Sequence, residues 1–244
     1  MKQKFISILA TATVLLLVMG ILLTSVFAEK VAQSDSSPAY WLWAGHTIKS
    51  THKNSILYLH QGHVRNSQDN TRVFYKKGFA PHKINAKAMY IVIRMHKLLY
   101  DRNYIHALVK LIKHWESKGN IVKGLQLDFD SATAKLLKYS HYLKFVRAIL
   151  PKQYRLSITG LGDWLVNGQH KHLIAINNSA DEIVFQLYQH KTAYKNLESY
   201  LSILKSNQLP FKLGLVQQGQ YNQIQLKKLT RLPNYQGSII FTIR

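Results

Sequence analysis

The chain has 244 residues, 47% of them apolar, and no change in composition marks an interior boundary, so we expect one globular domain. It carries 33 Lys and Arg against 11 Asp and Glu, a formal net charge of +22 spread along the sequence, which favours a solvated cationic surface that attracts polyanions in general. No nucleic-acid-binding motif accompanies this charge, which argues against specific nucleic-acid recognition. Cysteine is absent, which excludes a disulfide framework and a lipid-accepting cysteine.

The first residues have the pattern of an export signal. Two lysines precede an apolar stretch over residues 5–28, which has small residues at Val26 and Ala28 before a cleavage position. The stretch is longer than the usual apolar region of about 7–15 residues and reaches the about 20 residues that span a bilayer. Residues 1–28 are therefore either a cleaved signal peptide or a retained inner-membrane anchor, and the remainder is exported to the periplasm or secreted. Residues 29–38 predict a polar linker.

Residues 39–244 alternate between strand-like and helix-like patterns. Eight short apolar runs, rich in β-branched and aromatic residues, predict strands that are covered on both faces. The runs are AYWLWAG from Ala39, SILYLHQ from Ser55, AMYIVIRMH from Ala88, GLQLDFD from Gly124, RLSITGL from Arg155, EIVFQLY from Glu182, FKLGLVQQ from Phe211 and SIIFTI from Ser238.

Amphipathic patterns between the later strands predict helices. Apolar faces run over residues 104–115, 136–150 and 197–204. Strands that alternate with helices indicate an α/β protein, and eight of them predict an irregular (β/α)8 TIM-like barrel. We expect the irregularity at the first connection, because only about ten residues separate the first two strands and a helical crossover takes a dozen or more.

Asp128 and Asp130 end the fourth predicted strand in a chain with few carboxylates. Barrel active sites form at the carboxyl ends of the strands, and alternation turns Gln126, Asp128 and Asp130 to the same side, into the barrel or its mouth. Two acids buried together have pKa values that are pushed apart, which favours general acid catalysis. Alternatively, Asp130 caps the following helix and Asp128 pairs with an inward Arg or Lys.

Other strand ends carry amide, basic, acidic and aromatic side chains. These residues are His60, Arg94, His96, Asp163, Trp164, Gln186, Tyr188, Gln189 and Gln217. Hydrogen-bonding groups and an aromatic face around a barrel mouth suit a sugar, so the sequence predicts a carbohydrate site. Each residue also has a structural explanation: Trp164 is a core residue, Tyr188 tethers a loop, and the glutamines satisfy backbone groups.

Several motifs resemble a known family. The segment GLQLDFDSATAKL, the following Y..YL..VR..LP and LSITGLGDWL, and then EIVFQLYQH and PFKLGLVQQG, resemble the bacterial domain-of-unknown-function family 3142 over most of residues 39–244. The resemblance implies a branch of the barrel-fold glycoside hydrolases.

A more distant resemblance is to family 18 glycoside hydrolases, the chitinase group, whose fourth strand carries D-x-x-D-x-D-x-E. On that pattern Asp128 matches the third acid, but Lys123 and Gln126 replace the first two and Asp130 replaces the catalytic Glu. On the sixth strand, Tyr188 matches the tyrosine of M-x-Y-D, whereas Gln186 and Gln189 stand at the positions of its methionine and aspartate.

Two functions follow from these residues. As a hydrolase, the protein uses Asp130 as general acid, Asp128 to tune its pKa, Tyr188 as a hydrogen-bond donor and Asp163 as a second carboxylate whose distance from Asp130 selects the route. It then acts on an envelope or extracellular polysaccharide, for which the positive charge favours an anionic one. Replacement of Glu by Asp shortens the acid, and a displacement of about 1 Å costs up to about a hundredfold in rate. The alternative is an inactive, lectin-like barrel, favoured if Arg94 neutralises Asp128 and Asp130.

We predict a carbohydrate partner, a monomer, and neither a cofactor nor a metal. The pairs His60 with His63 and His170 with His172 are close enough to chelate, but no acid stands at a recognised ligand spacing. The sequence has neither a glycine-rich phosphate loop nor a G-x-S-x-G elbow, so nothing supports a nucleotide-dependent enzyme or a serine hydrolase. Adhesion to lipid or nucleic acid requires a contiguous cationic face outside the mouth.

Overall fold

The computed structural model describes residues 37–49, 52–66, 72–207 and 209–242. They all fall within one compact unit, Ser36–Arg244. The predicted leader over residues 1–28 and nearly all of the predicted linker lie outside the described residues. In the part that is described, no helix has both the length and the apolar character needed to cross a bilayer.

Eight parallel strands close into a barrel, which confirms the predicted α/β fold. The described strands are β1 (Ala39–Leu42), β2 (Ile56–Asn66), β3 (Arg72–Lys76), β4 (Ala88–Met95), β5 (Val122–Asp128), β6 (Arg155–Leu161), β7 (Glu182–Gln186), β8 (Tyr188–Gln189), β9 (Thr192–Ala193), β10 (Phe211–Val216) and β11 (Tyr235–Phe241). Around the ring the order is β1, β2, β4, β5, β6, β7, β10, β11 and β1 again. Outside the ring, β3 pairs antiparallel with β2, and β8 with β9.

Helices follow the strands from β4 onward. They are α1 (Arg102–Ser117), α2 (Leu136–Ile149), α3 (Gly162–Asn167), α4 (His170–Asn177), α5 (Glu198–Asn207) and α6 (Gln223–Thr230), with a 3-10 turn at Thr133–Lys135. Local sequence sets two of the starts: Asp101 accepts from the Asn103 N–H before α1, and Asn222 accepts from two N–H groups at the start of α6. Such N-caps satisfy backbone donors that a helix leaves unpaired.

Apolar side chains form two separate cores. The larger core lies between the strands and the helices, and includes Trp115, Tyr139 and Trp164. The smaller core fills the barrel interior and includes Trp41 and Phe241, whose rings stack at 5.3 Å. Strand side chains alternate between the helix side, which is apolar, and the interior, which is apolar around β1, β2, β4 and β11 and polar along β5, β6 and β10.

An ion pair lies inside the barrel, towards the amino ends of its strands. Lys212 Nζ is 2.8 Å from Glu182 Oε2, and both side chains are buried. Glu182 Oε1 also accepts hydrogen bonds from the hydroxyls of Tyr58, at 2.7 Å, and Ser157, at 2.8 Å. Despite burial, which acts to raise it, the pKa of Glu182 is lowered because Lys212 and these donors stabilise the carboxylate. The side chains of Lys212, Tyr58 and Ser157 therefore all contact the Glu182 carboxylate and satisfy its charge.

All eight predicted barrel strands and the three predicted helices are present. Among the described residues, the structure adds the antiparallel strand β3, the hairpin of β8 and β9, and the helices α3, α4 and α6. The first connection, residues 43–55, is longer than the about ten residues expected, but its described residues form no α-helix, so β1 and β2 pair in parallel without the usual helical crossover. The register between β2 and β4 also shifts between His60 and Gly62 of β2, the strand to which β3 is added.

Candidate functional site

Arg94 joins the two acids at the carboxyl ends of β4 and β5. The two strands are in register there, with Arg94 opposite Asp128. Arg94 Nη1 lies 2.9 Å from Asp128 Oδ1 and 3.3 Å from Asp130 Oδ1, and Nη2 donates to Asp130 Oδ2. One guanidinium therefore engages Asp128 and both carboxylate oxygens of Asp130, a charge-assisted and geometrically specific contact.

The two acids differ in their surroundings. The Asp128 side chain is 2% exposed, whereas that of Asp130 is 43% exposed. Burial raises the pKa of Asp128, and the nearby charge of Asp130 adds to this, while Arg94 and the hydroxyl of Thr159, 2.9 Å from Oδ1, oppose it. Asp128 thus faces the barrel interior and pairs with an inward arginine. This is the structural explanation that the sequence offered as an alternative to acid catalysis. Asp130 lies above it at the mouth.

Tyr188 lies at the mouth close to these acids. It follows β7 and opens the short hairpin of β8 and β9, and its ring is 5.3 Å from that of Phe241. Burial, and then the charge of Asp128, raise the pKa of Tyr188 above its usual value. The phenol is therefore protonated at neutral pH and is available as a hydrogen-bond donor.

A cavity of about 380 Å³ opens at the mouth beside Tyr188. The basic and aromatic residues that line it include Trp43, His60, His63, Lys77, His190 and Lys191. They come from the ends of β1 and β2, from the end of β3, and from the turn between β8 and β9. Its volume lies within the about 300–1,000 Å³ that is usual for small-molecule sites.

Three histidines line up from the cavity towards Arg94. The rings of His60 and His63 are 4.5 Å apart, and those of His63 and His96 are 5.8 Å apart. His60 is buried, and its ring nitrogens have no hydrogen-bond partner among the described residues. Burial, together with the neighbouring charges of His63, Lys77 and Arg94, lowers the pKa of His60 to about 4. Burial, followed by nearby cationic side chains, also lowers the pKa values of His63 and His96.

Two of the predicted site residues are enclosed in the cores. Gln126 is fully buried inside the barrel, where Oε1 accepts from Trp41 Nε1 at 2.7 Å and Nε2 donates to Ser157 Oγ at 2.9 Å. Trp164 is fully buried between the barrel and the helices, and its indole N–H donates to the Ser131 carbonyl at 2.7 Å. The structure therefore does not bring the Trp164 ring to the mouth, and it gives Gln126 two protein partners.

The remaining predicted residues lie around the rim. Asp163 is exposed in the first turn of α3, where it accepts hydrogen bonds from Thr133 and Asn167. Gln186 is buried at the end of β7, Gln189 is exposed in the hairpin and Gln217 is half-buried after β10. The structure thus places these four around the strand ends. It does not place Asp163 on the Arg94 guanidinium.

Some cavity residues were missed by the sequence reasoning, although one had a usable signal. Trp43 follows β1 and lies on the same side as Trp41, so strand alternation predicts that it points into the mouth. Lys77 follows β3, an antiparallel strand that the sequence pattern did not reveal. His190 and Lys191 lie in the tight turn of a hairpin formed by two-residue strands, which are too short for a periodic signal.

Within the described ranges, no group of three or more His, Cys, Asp or Glu side chains is arranged to hold a metal ion. His60 stacks on Trp41, is tilted against Trp43 and meets His63 edge-on, and His63 stacks on His96. Their present arrangement is therefore one of ring packing.

Three solved structures illustrate the folds to which this chain is similar. The xylanase and alpha-amylase inhibitor protein XAIP-II from Scadoxus multiflorus has a TM-score of 0.50 at 13% identity, over 84% of this chain and 93% of its own. The spore cortex-lytic enzyme SleL from Bacillus cereus has a TM-score of 0.45 at 15% identity, over 75% of this chain and 51% of its own. The chitinase domain of the spore coat protein CotE from Clostridium difficile has a TM-score of 0.49 at 9% identity, over 75% and 66%.

The chain therefore spans about half the length of SleL and 66% of the CotE domain. At such identities the similarity concerns the fold alone, and the XAIP-II barrel supports the TIM-like architecture. A comparison with curated proteins gave no match. The model of the family described as "Domain of unknown function (DUF3142)" matches residues 85–199, just under half of the chain, and this match confirms the resemblance that the strand-end motifs indicate.

Proposed function

We propose that this protein is a carbohydrate-binding barrel that holds a glycan at its mouth without cleaving it. The observation that carries the proposal is the contact of the Arg94 guanidinium with both Asp128 and Asp130. A general acid must present a protonated oxygen to the leaving group. Both oxygens of Asp130 instead accept hydrogen bonds from the Arg94 guanidinium, so both are engaged in this contact.

The surroundings of the acids support binding. Tyr188, the half-buried Trp43 and the amides of the rim offer an aromatic surface with a few convergent hydrogen-bonding groups, which is the usual composition of a ligand site. A TIM-like barrel hosts many functions, so its fold alone does not imply hydrolysis. The similarity to XAIP-II, whose name describes an inhibitor, is compatible with a barrel that binds without catalysing.

Hydrolysis is the second candidate, because burial raises the pKa of Asp128. In that mechanism, Arg94 releases Asp130, and Asp128 tunes the proton affinity of the freed carboxyl group. Asp163 would then supply the second carboxylate at a distance that fits one of the two hydrolytic routes. This candidate requires rearrangement of the Arg94 contact and of the hydrogen bonds from Thr133 and Asn167 to Asp163, whereas binding requires neither.

The two candidates are separated by one experiment on the full chain. Binding is measured on an array of neutral and acidic oligosaccharides, and every hit is incubated with the protein and analysed for products by mass spectrometry. We expect hits without products, and the same hits for Asp130→Asn. Glu198→Gln, at an exposed position on α5, is the matched control. Products that disappear in Asp130→Asn but persist in Glu198→Gln would establish a hydrolase, and an array without hits would overturn the proposed glycan binding.

We also propose that residues 1–28 export the protein, that residues 29–38 form a linker and that residues 39–244 form the barrel domain. The basis is the lysine-flanked apolar stretch in the sequence. Cell fractionation, with mass determination of the mature chain, distinguishes a cleaved signal from a retained anchor. Light scattering on the same material tests the predicted monomer.

A further inference from the structure

We propose that the cavity beside Tyr188 binds a sugar residue that carries a carboxylate, so that the glycan held at the mouth is a polyuronate. The inference rests on the proposed glycan-binding function and adds the chemical class of the ligand. It depends on a lining that combines one indole surface with several cationic side chains.

The charge of the lining is one-sided. Lys77 and Lys191 are exposed, and His63 and His190 stand near them, whereas no Asp or Glu belongs to the described lining. Lys77 makes no ion pair with a carboxylate within the described residues. A negatively charged ligand would therefore find compensating charge here, while a neutral sugar would not use it.

The neighbouring acids, Asp128 and Asp130, are engaged by a cation of their own. Arg94 lies between the cavity side of the mouth and these acids, and it contacts both. Burial lowers the pKa values of His60 and His63, and cationic neighbours, Lys77 among them, lower these values further. The mouth thus has a half around β4 and β5 where Arg94 offsets part of the charge of two carboxylates, and a cationic half around β1, β2 and the hairpin.

An aromatic wall completes the cavity. Trp43 is half-buried, and its ring is held edge-on against Trp41 at 4.5 Å and tilted against His60 at 5.1 Å. These contacts fix the indole while leaving part of it open to the cavity. A sugar ring has one apolar face and polar edges, so it can lie on the indole and direct its carboxylate towards Lys77 and Lys191.

The hairpin that supplies Lys191 is held in an uncommon conformation. His190 has φ 56°, in the left-handed region that side chains other than glycine seldom adopt. Such a conformation is retained when the surroundings over-determine it, and it is enriched at functional sites. Here it turns the chain between β8 and β9 so that His190 and Lys191 both line the cavity.

The test compares two ligands with the same sugar backbone, one with charged carboxylates and one with neutral esters. Isothermal titration of the full chain is carried out with oligogalacturonate and with its methyl ester, which keeps the sugar backbone and neutralises each carboxylate. We expect the acid to bind about tenfold more tightly than the ester, as charge-assisted hydrogen bonds are stronger than neutral ones. Added salt should reduce this difference, because the lysines are exposed.

Variants locate the effect. Lys77→Gln should weaken binding of the acid more than binding of the ester and so remove most of the preference for the acid, and Trp43→Ala should weaken both. The control is Lys53→Gln, which removes the same charge three residues before β2, at the opposite end of the barrel. Circular dichroism and thermal melting confirm that each variant is folded.

The outcomes separate the inference from the proposed function. Equal binding of acid and ester would overturn the inference and leave a glycan-binding barrel. Equal losses in Lys53→Gln and Lys77→Gln would assign the preference to the overall charge and would also overturn it. Failure of every oligosaccharide on the array to bind would instead remove the proposed function.

Discussion

Arg94 and Asp128 form a 2.9 Å ion pair on the inner wall of the barrel, where 2% of the Asp128 side chain is exposed. Arg94→Met should therefore destabilise the fold by about 3–5 kcal/mol, because it leaves a buried carboxylate without its cation. Urea denaturation measures the change. Asp130→Asn removes the more exposed acid and should cost about 1 kcal/mol or less. If the two variants lost the same stability, Asp128 would not depend on Arg94 for its charge.

A second prediction concerns the ion pair between Lys212 and Glu182 inside the barrel. Lys212→Met should cost about 3–5 kcal/mol, because the 2.8 Å contact is buried and the buried Glu182 carboxylate loses the cation that contacts it. The chain offers a matched control in the exposed pair of Lys228 and Glu198, 3.8 Å apart, where Lys228→Met should cost about 1 kcal/mol or less. Chemical denaturation of both variants makes the comparison.

Acid should restore part of the stability lost in Lys212→Met. With Lys212 present, the pKa of Glu182 is lowered, so its contribution exists above the unfolded value and is lost as the pH falls through the folded value. Without Lys212, burial favours the protonated form, and protonating Glu182 removes the buried charge. A penalty that stays constant between neutral pH and the acid range would contradict a charged Glu182 in the variant.

Gln126 gives a third prediction. Gln126→Leu leaves the indole N–H of Trp41 buried without an acceptor, which should cost about 1–3 kcal/mol. In the Trp41→Phe background that donor is absent, so the same substitution should cost less. A double-mutant cycle by urea denaturation gives the coupling between the two residues. Additive losses would show that the 2.7 Å hydrogen bond contributes nothing to stability.

A fourth prediction concerns pH and His60. Its pKa is lowered from 6.5 to about 4 by burial and by its cationic neighbours. Between these two values the unfolded chain binds a proton that the folded protein does not, so the free energy of unfolding should fall as the pH is lowered through this window. His60→Gln should flatten the slope. Denaturation of wild type, His60→Gln and the exposed-site variant His106→Gln at several pH values checks this, and an unchanged slope in His60→Gln would contradict it.

The sequence pattern predicts the barrel because its strands are covered on both faces. Each strand has an apolar face towards the helices, and β1, β2, β4 and β11 also have apolar side chains towards the interior, so the strands appear as apolar runs. The inward direction of Asp128 follows from the same alternation. What the pattern lacks is the pairing between strands. The sequence offers Arg94 as a candidate cation for Asp128, and the register of β4 with β5 places the two residues opposite each other.

The candidate site was less accessible to sequence reasoning where short or irregular segments form it. Trp164 follows a strand end, yet α3 begins at once and turns the indole into the core behind the barrel. Lys77 depends on a hairpin that adds β3 to β2, and Lys191 depends on a turn held at a positive φ. None of these features has a periodic signature, because each depends on only a few residues.

The pairing of β1 with β11 has a consequence for how the barrel is assembled. Tyr40 lies opposite Ile240, so the seam joins the first and the last strands of the ring. During synthesis, β1 emerges before the other strands of the ring and gains its second neighbour only after the seven others have been made, because the ring cannot close before β11 is available. Until then β1 and β10 are open edges that other chains can pair with. Assembly by the nascent chain therefore ends at the seam, and deletion of β11 should yield an aggregation-prone sheet in place of a smaller barrel.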